Sequence, residues 1–267
     1  MQPVSDISEV YEAIQRAKIH ATAFQTNLFP MQGKLRSWIS HGELFCEVHD
    51  GWALFFRKDR DFFHLYFCAA NENTLRASLQ GCLRSQRFSV DIVGTEAAVG
   101  SIVSVFKSVG FRPYARLRRM VLLVEDGSKK LNALANGIGF ACLSDCDALG
   151  DLLSRSFDRL AEQLPTDYEL TAAVEAQQIL VFKREETVGG LLFFETQGLT
   201  STIRYWLISE GFRNQGLGAK LMRAFLSTHP SARRFVLWVI DDNTDAIDKY
   251  QHYGFASDGL IDQVLLN

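Results

Sequence analysis

The order of predicted strands and helices in the first half of the chain occurs again in the second half. In each half, a group of short aromatic and β-branched runs is followed by strands that alternate with amphipathic helices. Two pairs of short matches align the halves, namely Gln86–Phe88 with Arg233–Phe235 and Val109–Phe111 with Tyr253–Phe255. An internal repeat of this kind predicts two successive domains of similar fold.

Periodicity and turn residues give the bounds of the predicted elements. In the first half these are a helix at Asp6–Ala23, strands at Glu43–Val48, Gly51–Arg57 and Asp61–Cys68, a helix at Asn73–Leu83, a strand at Phe88–Val93, a helix at Ala97–Val109 and a strand pair around Leu117–Val124. In the second half they are a strand at Gly139–Leu143, helices at Asp147–Phe157 and Asp167–Ala176, strands at Ile179–Lys183, Val188–Glu195 and Thr202–Ser209, a helix at Ala219–Thr228, a strand at Arg234–Ile240, a helix at Asp245–Tyr253 and a strand at Ile261–Leu266.

The repeat breaks at a run of charged and turn-forming residues, Glu125–Lys130. We interpret the stretch Glu125–Leu131 as a linker between domains 1–128 and 129–267. A chain of 267 residues that is 47% hydrophobic can bury a core in each of two such domains. The strand and helix pattern predicts a mixed α/β fold for both.

Composition restricts the classes of partner. No apolar run approaches the roughly 20 residues of a membrane span, and the polar N-terminal segment lacks a secretory apolar region, so we expect a cytoplasmic protein without a membrane partner. A net charge of −3 gives no reason to expect nucleic acid as a partner. Only Cys142 and Cys146 lie close together among five cysteines, and no histidine lies near them, so we expect no metal site.

The most informative stretch is Tyr205–Lys220, where an apolar strand runs into a turn with glycines at 216 and 218 and then into a helix. Glycines let a ligand approach the backbone closely, and the N–H groups of the first helical turn attract anions such as a pyrophosphate. Arg213 adds positive charge. The P-loop ending Gly-Lys-Ser/Thr and the third glycine of a dinucleotide fingerprint are absent. Alone, this turn also fits an ordinary strand-to-helix connection.

A second motif follows about forty residues later. Arg213-x-x-Gly216-x-Gly218 precedes the spacing Asn243-x-x-Ala246-x-x-x-Tyr250-x-x-x-Gly254-Phe255. Together they resemble motifs A and B of the GCN5-related N-acetyltransferase (GNAT) superfamily, and the resemblance covers roughly Phe140–Asn267. With the repeat, it implies two tandem GNAT-type domains, each a mixed and mostly antiparallel sheet flanked by helices.

The resemblance implies acetyl-CoA as the acyl donor, with its pyrophosphate on the glycine-rich turn and its pantetheine arm paired like an added strand with the preceding strand. A backbone N–H near Ile208 would polarise the thioester carbonyl. The residues implied in cofactor binding are Ile208, Ser209, Glu210, Arg213, Asn214, Gln215, Gly216, Leu217, Gly218, Ala219, Asn243 and Tyr250.

The resemblance further implies direct attack of a primary amine on the thioester, with Tyr250 as the acid that protonates the CoA thiolate. A phenol of ordinary pKa near ~10 is protonated at neutral pH. The base that deprotonates the amine is open among Glu210, Glu195 and Asp241, and we select Glu210 as the first choice. The acceptor, a small molecule or a protein, is also open, as is the oligomeric state, a homodimer included. A non-catalytic acyl-CoA-binding or regulatory module is the alternative function.

The first half is expected to be a degenerate copy that binds no acetyl-CoA. Its residues aligned with the glycine pair fall near Ala69 and Asn71, and Phe106 aligns with Tyr250 but has no hydroxyl. Four arginines follow its Gly-Phe corner. They fit either a solvated strand face or attraction to an acidic substrate or to the acidic second half of the chain. These are Arg112, Arg116, Arg118 and Arg119.

Overall fold

The computed structural model of the protein describes residues 1–19, 21–29, 32–82, 86–124, 135–229 and 231–267. The chain divides into two compact units. Unit 1 comprises Met1–Leu117 and Gly259–Asn267, and unit 2 comprises Arg118–Asp258. These units do not follow the expected domains 1–128 and 129–267, because the last segment of the chain pairs with a strand of unit 1. The predicted linker Glu125–Leu131 lies outside the described residues.

Unit 1 starts with two short strands and two helices and continues with a strand meander and a strand–helix alternation. In chain order its elements are β1 (Gln2–Pro3), α1 (Ile7–Lys18), β2 (Gln25–Thr26), α2 (Gln32–Ser40), β3 (Leu44–His49), β4 (Trp52–Asp59), β5 (Phe62–Ala69), α3 (Glu72–Cys82), β6 (Phe88–Thr95), α4 (Glu96–Ser108) and β7 (Arg112–Leu123), of which β7 continues into unit 2.

Unit 2 contains a second set of strands flanked by helices. Its elements are β8 (Ile138–Phe140), α5 (Cys146–Ser156), α6 (Arg159–Glu162), α7 (Asp167–Glu175), β9 (Ile179–Arg184), β10 (Thr187–Gln197), β11 (Thr200–Ile208), α8 (Leu217–Thr228), β12 (Arg234–Ile240), α9 (Thr244–His252) and β13 (Ala256–Leu266), of which β13 continues into unit 1.

Each unit has a mixed and mostly antiparallel sheet, as the sequence predicted. In unit 1, β3, β4 and β5 pair antiparallel, β5 and β6 pair parallel, and β6 pairs antiparallel with β13. In unit 2, β8, β9, β10 and β11 pair antiparallel, and β11 pairs parallel with β12. The strand that follows the Gly-Phe corner of each half therefore ends in the other unit, which sequence periodicity did not indicate.

The two Gly-Phe corners have the same backbone structure. Gly110 and Gly254 have φ values of +106° and +88°, a left-handed conformation that glycine adopts at low cost. The N–H of Phe111 donates to Phe106 O at 3.1 Å, and the N–H of Phe255 donates to Tyr250 O at 3.1 Å. Both corners are Schellman motifs at the end of a helix, so the matches that align the two halves have a structural counterpart.

The sheet of unit 1 is buried on both faces. Leu54, Phe56 and Phe67 pack in one cluster, whereas Phe55 and Cys68, on the alternate positions, pack in another with α1 and α2. Because successive side chains of a strand point to opposite faces, burial of both faces gives nearly continuous apolar runs. This explains the aromatic meander of the sequence.

Several predicted elements differ from the structure. α1 ends at Lys18 instead of Ala23, and the predicted strand pair around Leu117–Val124 is the single strand β7. β2, α2 and α6 were not predicted, since they are short or lack a clear apolar period. Among the described helices, none has the length and apolar character of a membrane span.

Three of the four clustered arginines form ion pairs within their own unit. Arg116 pairs with Glu96 in unit 1 at 2.9 Å. Arg118 pairs with Asp241 in unit 2, and Arg119 pairs with Asp258 there at 3.0 Å. Attraction to acidic residues of the second half of the chain is therefore found for Arg118 and Arg119.

The pairing of β13 with β6 predicts that the C-terminal strand is part of the core of unit 1. Leu265 on β13 is 0% exposed, whereas Leu199 is 52% exposed. Leu265→Ala should therefore lower the free energy of unfolding by about 2–5 kcal/mol in chemical denaturation, with Leu199→Ala as the control near zero. A loss below about 1 kcal/mol for Leu265→Ala would contradict this assignment of the strand.

Candidate functional site

The parallel strands β11 and β12 separate part of the way along their length. Residues Thr200–Ile203 of β11 pair with Arg234–Leu237 of β12. The pairing stops there, although both strands continue. On its other edge, β11 pairs Ile203 with Phe194 and Tyr205 with Phe193, so Arg204 is an extra, bulged residue. A bulge bends a strand and increases its twist. The bulge therefore accounts for a space between Arg204–Ile208 and Trp238–Ile240, which we call the β11–β12 gap.

The glycine-rich turn begins where β11 ends. Ser209 is anchored to β10, because its backbone N–H and its hydroxyl both donate to Gly189 O at 3.0 Å. A 3-10 turn at Glu210–Phe212 follows, and Arg213 Nε donates to Ile208 O at 3.3 Å. Asn214 then takes a left-handed φ of +61°. These contacts place the turn at the open end of the β11–β12 gap.

Helix α8 starts from Gly216, its N-cap residue, which has a left-handed φ of +70° and supplies no side-chain cap. The first N–H groups of a helix have no intrahelical partner, and the helix dipole makes this end positive. The N–H groups of Leu217, Gly218 and Ala219 belong to this first turn. The start of α8 is therefore suited to bind an anionic group such as a pyrophosphate.

Three glycines allow this turn to pack closely against its neighbours. A Cβ on Gly189 would lie 2.7 Å from Phe212 Cδ1, and one on Gly190 would lie 2.9 Å from Leu207 O. A Cβ on Gly218 would lie 3.2 Å from the Trp206 ring. Sequence reasoning assigned a role only to Gly218, although the Gly189-Gly190 pair inside a predicted strand was a signal of close backbone approach.

Two arginines lie beside the turn. Arg184 at the end of β9 donates to Gln215 Oε1 at 2.8 Å, and its guanidinium lies 5.1 Å from the centre of the Phe212 ring. Arg213 lies within the turn. Together they add positive charge at the start of α8, where a phosphate would benefit from it. No sequence motif marked Arg184, because β10 and β11 lie between β9 and the turn in the chain.

Tyr250 projects from α9 and packs against Trp206 and Phe255, with ring centres 5.7 Å and 6.1 Å away. The contact with Phe255 belongs to the Schellman motif, which fixes the phenol relative to the end of the helix. Burial raises the pKa of Tyr250 to about 12, and the nearby charge of Glu162 acts in the same direction. The phenol is therefore protonated throughout the physiological range.

Asn243 and Trp206 supply two further polar groups of the candidate site. Asn243 is the N-cap of α9, and its side-chain oxygen accepts from the N–H of Ala246 at 3.2 Å. The indole N–H of Trp206 is buried without a hydrogen-bond partner among the described residues. A buried donor of this kind is costly unless a ligand or solvent group accepts from it.

Two of the three predicted candidates for the base are engaged in ion pairs. Glu195 pairs with Arg204 at 3.5 Å, and Asp241 pairs with Arg118. Glu210, the first choice, is exposed at the start of the 3-10 turn. The structure thus brings Glu210 to the end of β11, beside the turn but in an exposed position.

Glu162 is a candidate that the sequence did not reveal. It lies at the end of α6, and the hydroxyl of Tyr205 on β11 donates to the carbonyls of Glu162 and Gln163 at 3.0 Å and 2.9 Å. Burial raises the pKa of the Glu162 carboxyl to about 7, although its hydrogen bond from the Asp158 N–H opposes this shift. α6 has only four residues, so no periodicity marked it.

Unit 1 lacks these features at the corresponding positions. Only Ala70 and Asn71 separate β5 from α3, where unit 2 has the whole glycine-rich turn. The N–H of Thr74 donates to Asn71 Oδ1 at 3.1 Å, so α3 carries a side-chain cap. Phe106, aligned with Tyr250, is fully buried against Phe67 and Phe111.

A comparison with known protein families gives a match in the second half of the chain. Residues 146–255 match the sequence model described as the Acetyltransferase (GNAT) family. No curated protein matches the sequence. The matched range contains the glycine-rich turn, Asn243 and Tyr250.

Solved structures of low sequence identity share the fold. A tandem GNAT protein from the clavulanic acid biosynthesis pathway matches with a TM-score of 0.66 at 9% identity, covering 100% of this chain and 97% of that one. A GCN5-related N-acetyltransferase from Sphaerobacter thermophilus matches with a TM-score of 0.57 at 13% identity, covering 88% and 84%. One from Kribbella flavida matches with a TM-score of 0.57 at 13% identity, covering 90% and 96%. These likenesses confirm the tandem fold that the sequence resemblance implied.

Proposed function

We propose that unit 2 transfers an acetyl group from acetyl-CoA to a primary amine by direct attack, since residues 146–255 match the sequence model of the GNAT acetyltransferase family. The family implies acyl transfer from an acyl-CoA. The observation that carries the proposal is the position of an uncapped helix start, Gly216–Ala219, directly after a strand whose outer edge is open. An anion site beside an open strand edge fits a ligand with a pyrophosphate and an amide-containing arm.

The cofactor residues follow from this arrangement. The N–H groups after Gly216, with Asn214 and Gln215, would hold the pyrophosphate, and Arg213 and Arg184 would add charge. The edge of β11 from Ile208 through Ser209 to Glu210 would pair with the pantetheine arm. The Oδ1 of Asn243 caps helix α9, so Asn243 would contact the arm through its side-chain NH2 group.

Tyr250 is proposed to donate a hydrogen bond, and then a proton, to the departing thiolate. A phenol of pKa about 12 is a much weaker acid than a thiol, whose ordinary pKa is ~8.5. Lasting proton loss from Tyr250 is therefore unfavourable. The phenol must regain a proton from the nitrogen of the tetrahedral intermediate. The C–N bond forms, the C–S bond breaks, and the nitrogen proton ends on sulfur.

Glu162 is proposed as the base that deprotonates the attacking ammonium. A carboxyl of pKa about 7 is a far better proton acceptor at neutral pH than an exposed one of pKa ~4.3. The charge of Glu162 contributes to the raised pKa of Tyr250, so the two groups lie within electrostatic range of each other, and Tyr205 ties the helix of Glu162 to β11. The raised pKa of Glu162 and its charge interaction with Tyr250 favour Glu162 over Glu210, the choice made from the sequence.

The role of Tyr250 predicts a selective loss of turnover. Tyr250→Phe should lower kcat by about 10²-fold, measured as thiol release from acetyl-CoA with a panel of amines, while the Kd for acetyl-CoA stays nearly unchanged. Phe106 takes the matching position in unit 1 and packs against Phe111, as Tyr250 packs against Phe255, so phenylalanine is compatible with a corner of this type. Tyr253→Phe is the matched control, since Tyr253 also packs against Trp206, at 5.8 Å.

The alternative function gives a different outcome. If the chain is a non-catalytic acyl-CoA-binding module, the wild type binds acetyl-CoA but releases no thiol with any amine above the rate of spontaneous hydrolysis. Equal turnover in Tyr250→Phe and Tyr253→Phe would remove Tyr250 from its role.

The role of Glu162 predicts a pH dependence. Activity should rise as pH increases through about 7, because the carboxylate form accepts the proton. Glu162→Gln should remove this dependence and lower activity at pH 8, whereas Glu210→Gln should keep it. Both variants are compared with the same amine, so ionisation of the acceptor is common to both. If the rise in activity through pH 7 is lost in Glu210→Gln and kept in Glu162→Gln, Glu210 is the base, as selected from the sequence.

A further inference from the structure

Unit 1 contains a strand separation like the β11–β12 gap. Among the described residues, β5 and β6 pair parallel only at Phe63 with Phe88 and at His64 with Ser89. Both strands then continue, to Ala69 and Thr95, beyond the end of this pairing. The chain order of the two halves makes β5 and β6 the counterparts of β11 and β12. We call the space between Leu65–Ala69 and Val90–Thr95 the β5–β6 gap.

A segment of the chain itself lies along β5 at this gap. β4 pairs with β5 over its full length, so only the edge toward β6 is open. β2 pairs antiparallel with that edge, with Gln25 opposite Ala69 and Thr26 opposite Cys68. The pairing continues on both sides of β2, because the N–H of Ala23 donates to Ala70 O at 3.1 Å and the N–H of Asn27 donates to Phe67 O at 3.3 Å.

The side chain of Asn27 joins the two separated strands. Its Nδ2 group donates to Leu65 O on β5 and to Asp91 O on β6, both at 3.0 Å. Its Oδ1 accepts from the N–H of Phe67 at 2.7 Å. One amide side chain thus forms hydrogen bonds with three backbone groups at the place where β5 and β6 do not pair with each other. A buried backbone group without a hydrogen-bond partner would lower the stability of the fold.

The hydroxyl of Thr26 adds a further bond to the same strand. It donates to Phe67 O at 2.7 Å and accepts from the N–H of Leu28 at 3.0 Å, which fixes the chain as it leaves β2. Phe24 and Leu28 pack against the apolar cluster under α1 and α2. The polar side chains of the segment Ala23–Leu28 therefore bind the backbone of the strands, and its apolar side chains pack in the core.

We propose that Ala23–Leu28 is an internal ligand of unit 1, which fills the β5–β6 gap by main-chain pairing and so closes this unit to acyl-CoA. The counterpart in unit 2 is the β11–β12 gap, where the proposed function places the pantetheine arm of acetyl-CoA. The comparison of the peptide segment with that arm therefore rests on the proposed function. An extended peptide and a pantetheine arm offer the same recognition chemistry, amide groups that pair with a strand edge. The side-chain cap on α3 removes the anion site as well, so a chain has one acyl-CoA site.

Hydrogen–deuterium exchange tests this proposal. Asn27→Asp removes the two bonds that Nδ2 donates, and a carboxylate repels the carbonyls of Leu65 and Asp91. Exchange in peptides covering 23–28 and 64–70 should become at least about tenfold faster. Asn71→Asp is the matched control: it makes the same chemical change, but Asn71 uses its oxygen as the helix cap, so exchange should stay as in the wild type.

A second measurement uses the wild-type chain and acetyl-CoA, so it does not depend on how Asn27→Asp folds. Acetyl-CoA should slow exchange in 208–219 and leave 23–28 and 64–70 unchanged. Faster or slower exchange in 23–28 or 64–70 on adding acetyl-CoA would overturn the inference, as would wild-type exchange rates in a folded Asn27→Asp. Absence of any effect in 208–219 would count against the proposed function alone, because the response to Asn27→Asp needs no cofactor.

Discussion

The parting of two parallel strands is the feature on which the rest of the candidate site depends. Arg204 is inserted as a bulge where β11 leaves β12, and its half-buried guanidinium pairs with Glu195. The bulge changes the side-chain alternation, so that Ile203 and Trp206 face one core cluster while Tyr205 faces the other. One inserted residue therefore opens a strand edge, brings Trp206 under Tyr250 and directs the Tyr205 hydroxyl to the end of α6.

In unit 1, β5 and β6 also separate, and the backbone groups of the open strand edge find other hydrogen-bond partners. Unpaired backbone groups inside a protein must find partners, and unit 1 supplies them with Asn27 and β2. In unit 2 no segment of the described residues pairs with β11 beyond Ile203 on the side of β12. The two halves of the internal repeat thus differ at the separated strands. In unit 1 an internal segment pairs with the strand edge, whereas in unit 2 the edge of β11 is open.

Local patterns carried most of what the sequence could predict. The turn Arg213–Gly218 and the corner Tyr250–Phe255 are local motifs with fixed spacing, so they could be recognised without a structure. Glu162 could not, because α6 is one turn long and its place is set by a hydroxyl on a distant strand. The exchange of β7 and β13 between units depends on pairings far apart in sequence, which periodicity does not report. The role of Asn27 depends on two strands, 38 and 64 residues away.

The central claim is that acetyl-CoA binds at the start of α8 and nowhere else in the chain, and a calorimetric titration with acetyl-CoA tests it most directly. A Cβ at Gly216 would meet no atom within 4 Å, so the backbone there has room for the first side-chain atom of Gly216→Trp, at a cost of about 1–2 kcal/mol of strain at its left-handed φ of +70°. The indole then occupies the proposed anion site. Gly42→Trp is the matched control, with a φ of +66° and equally open space in unit 1. We predict one acetyl-CoA per chain for the wild type and Gly42→Trp, and none for Gly216→Trp. No binding by the wild type, or unchanged binding by Gly216→Trp, would contradict the account.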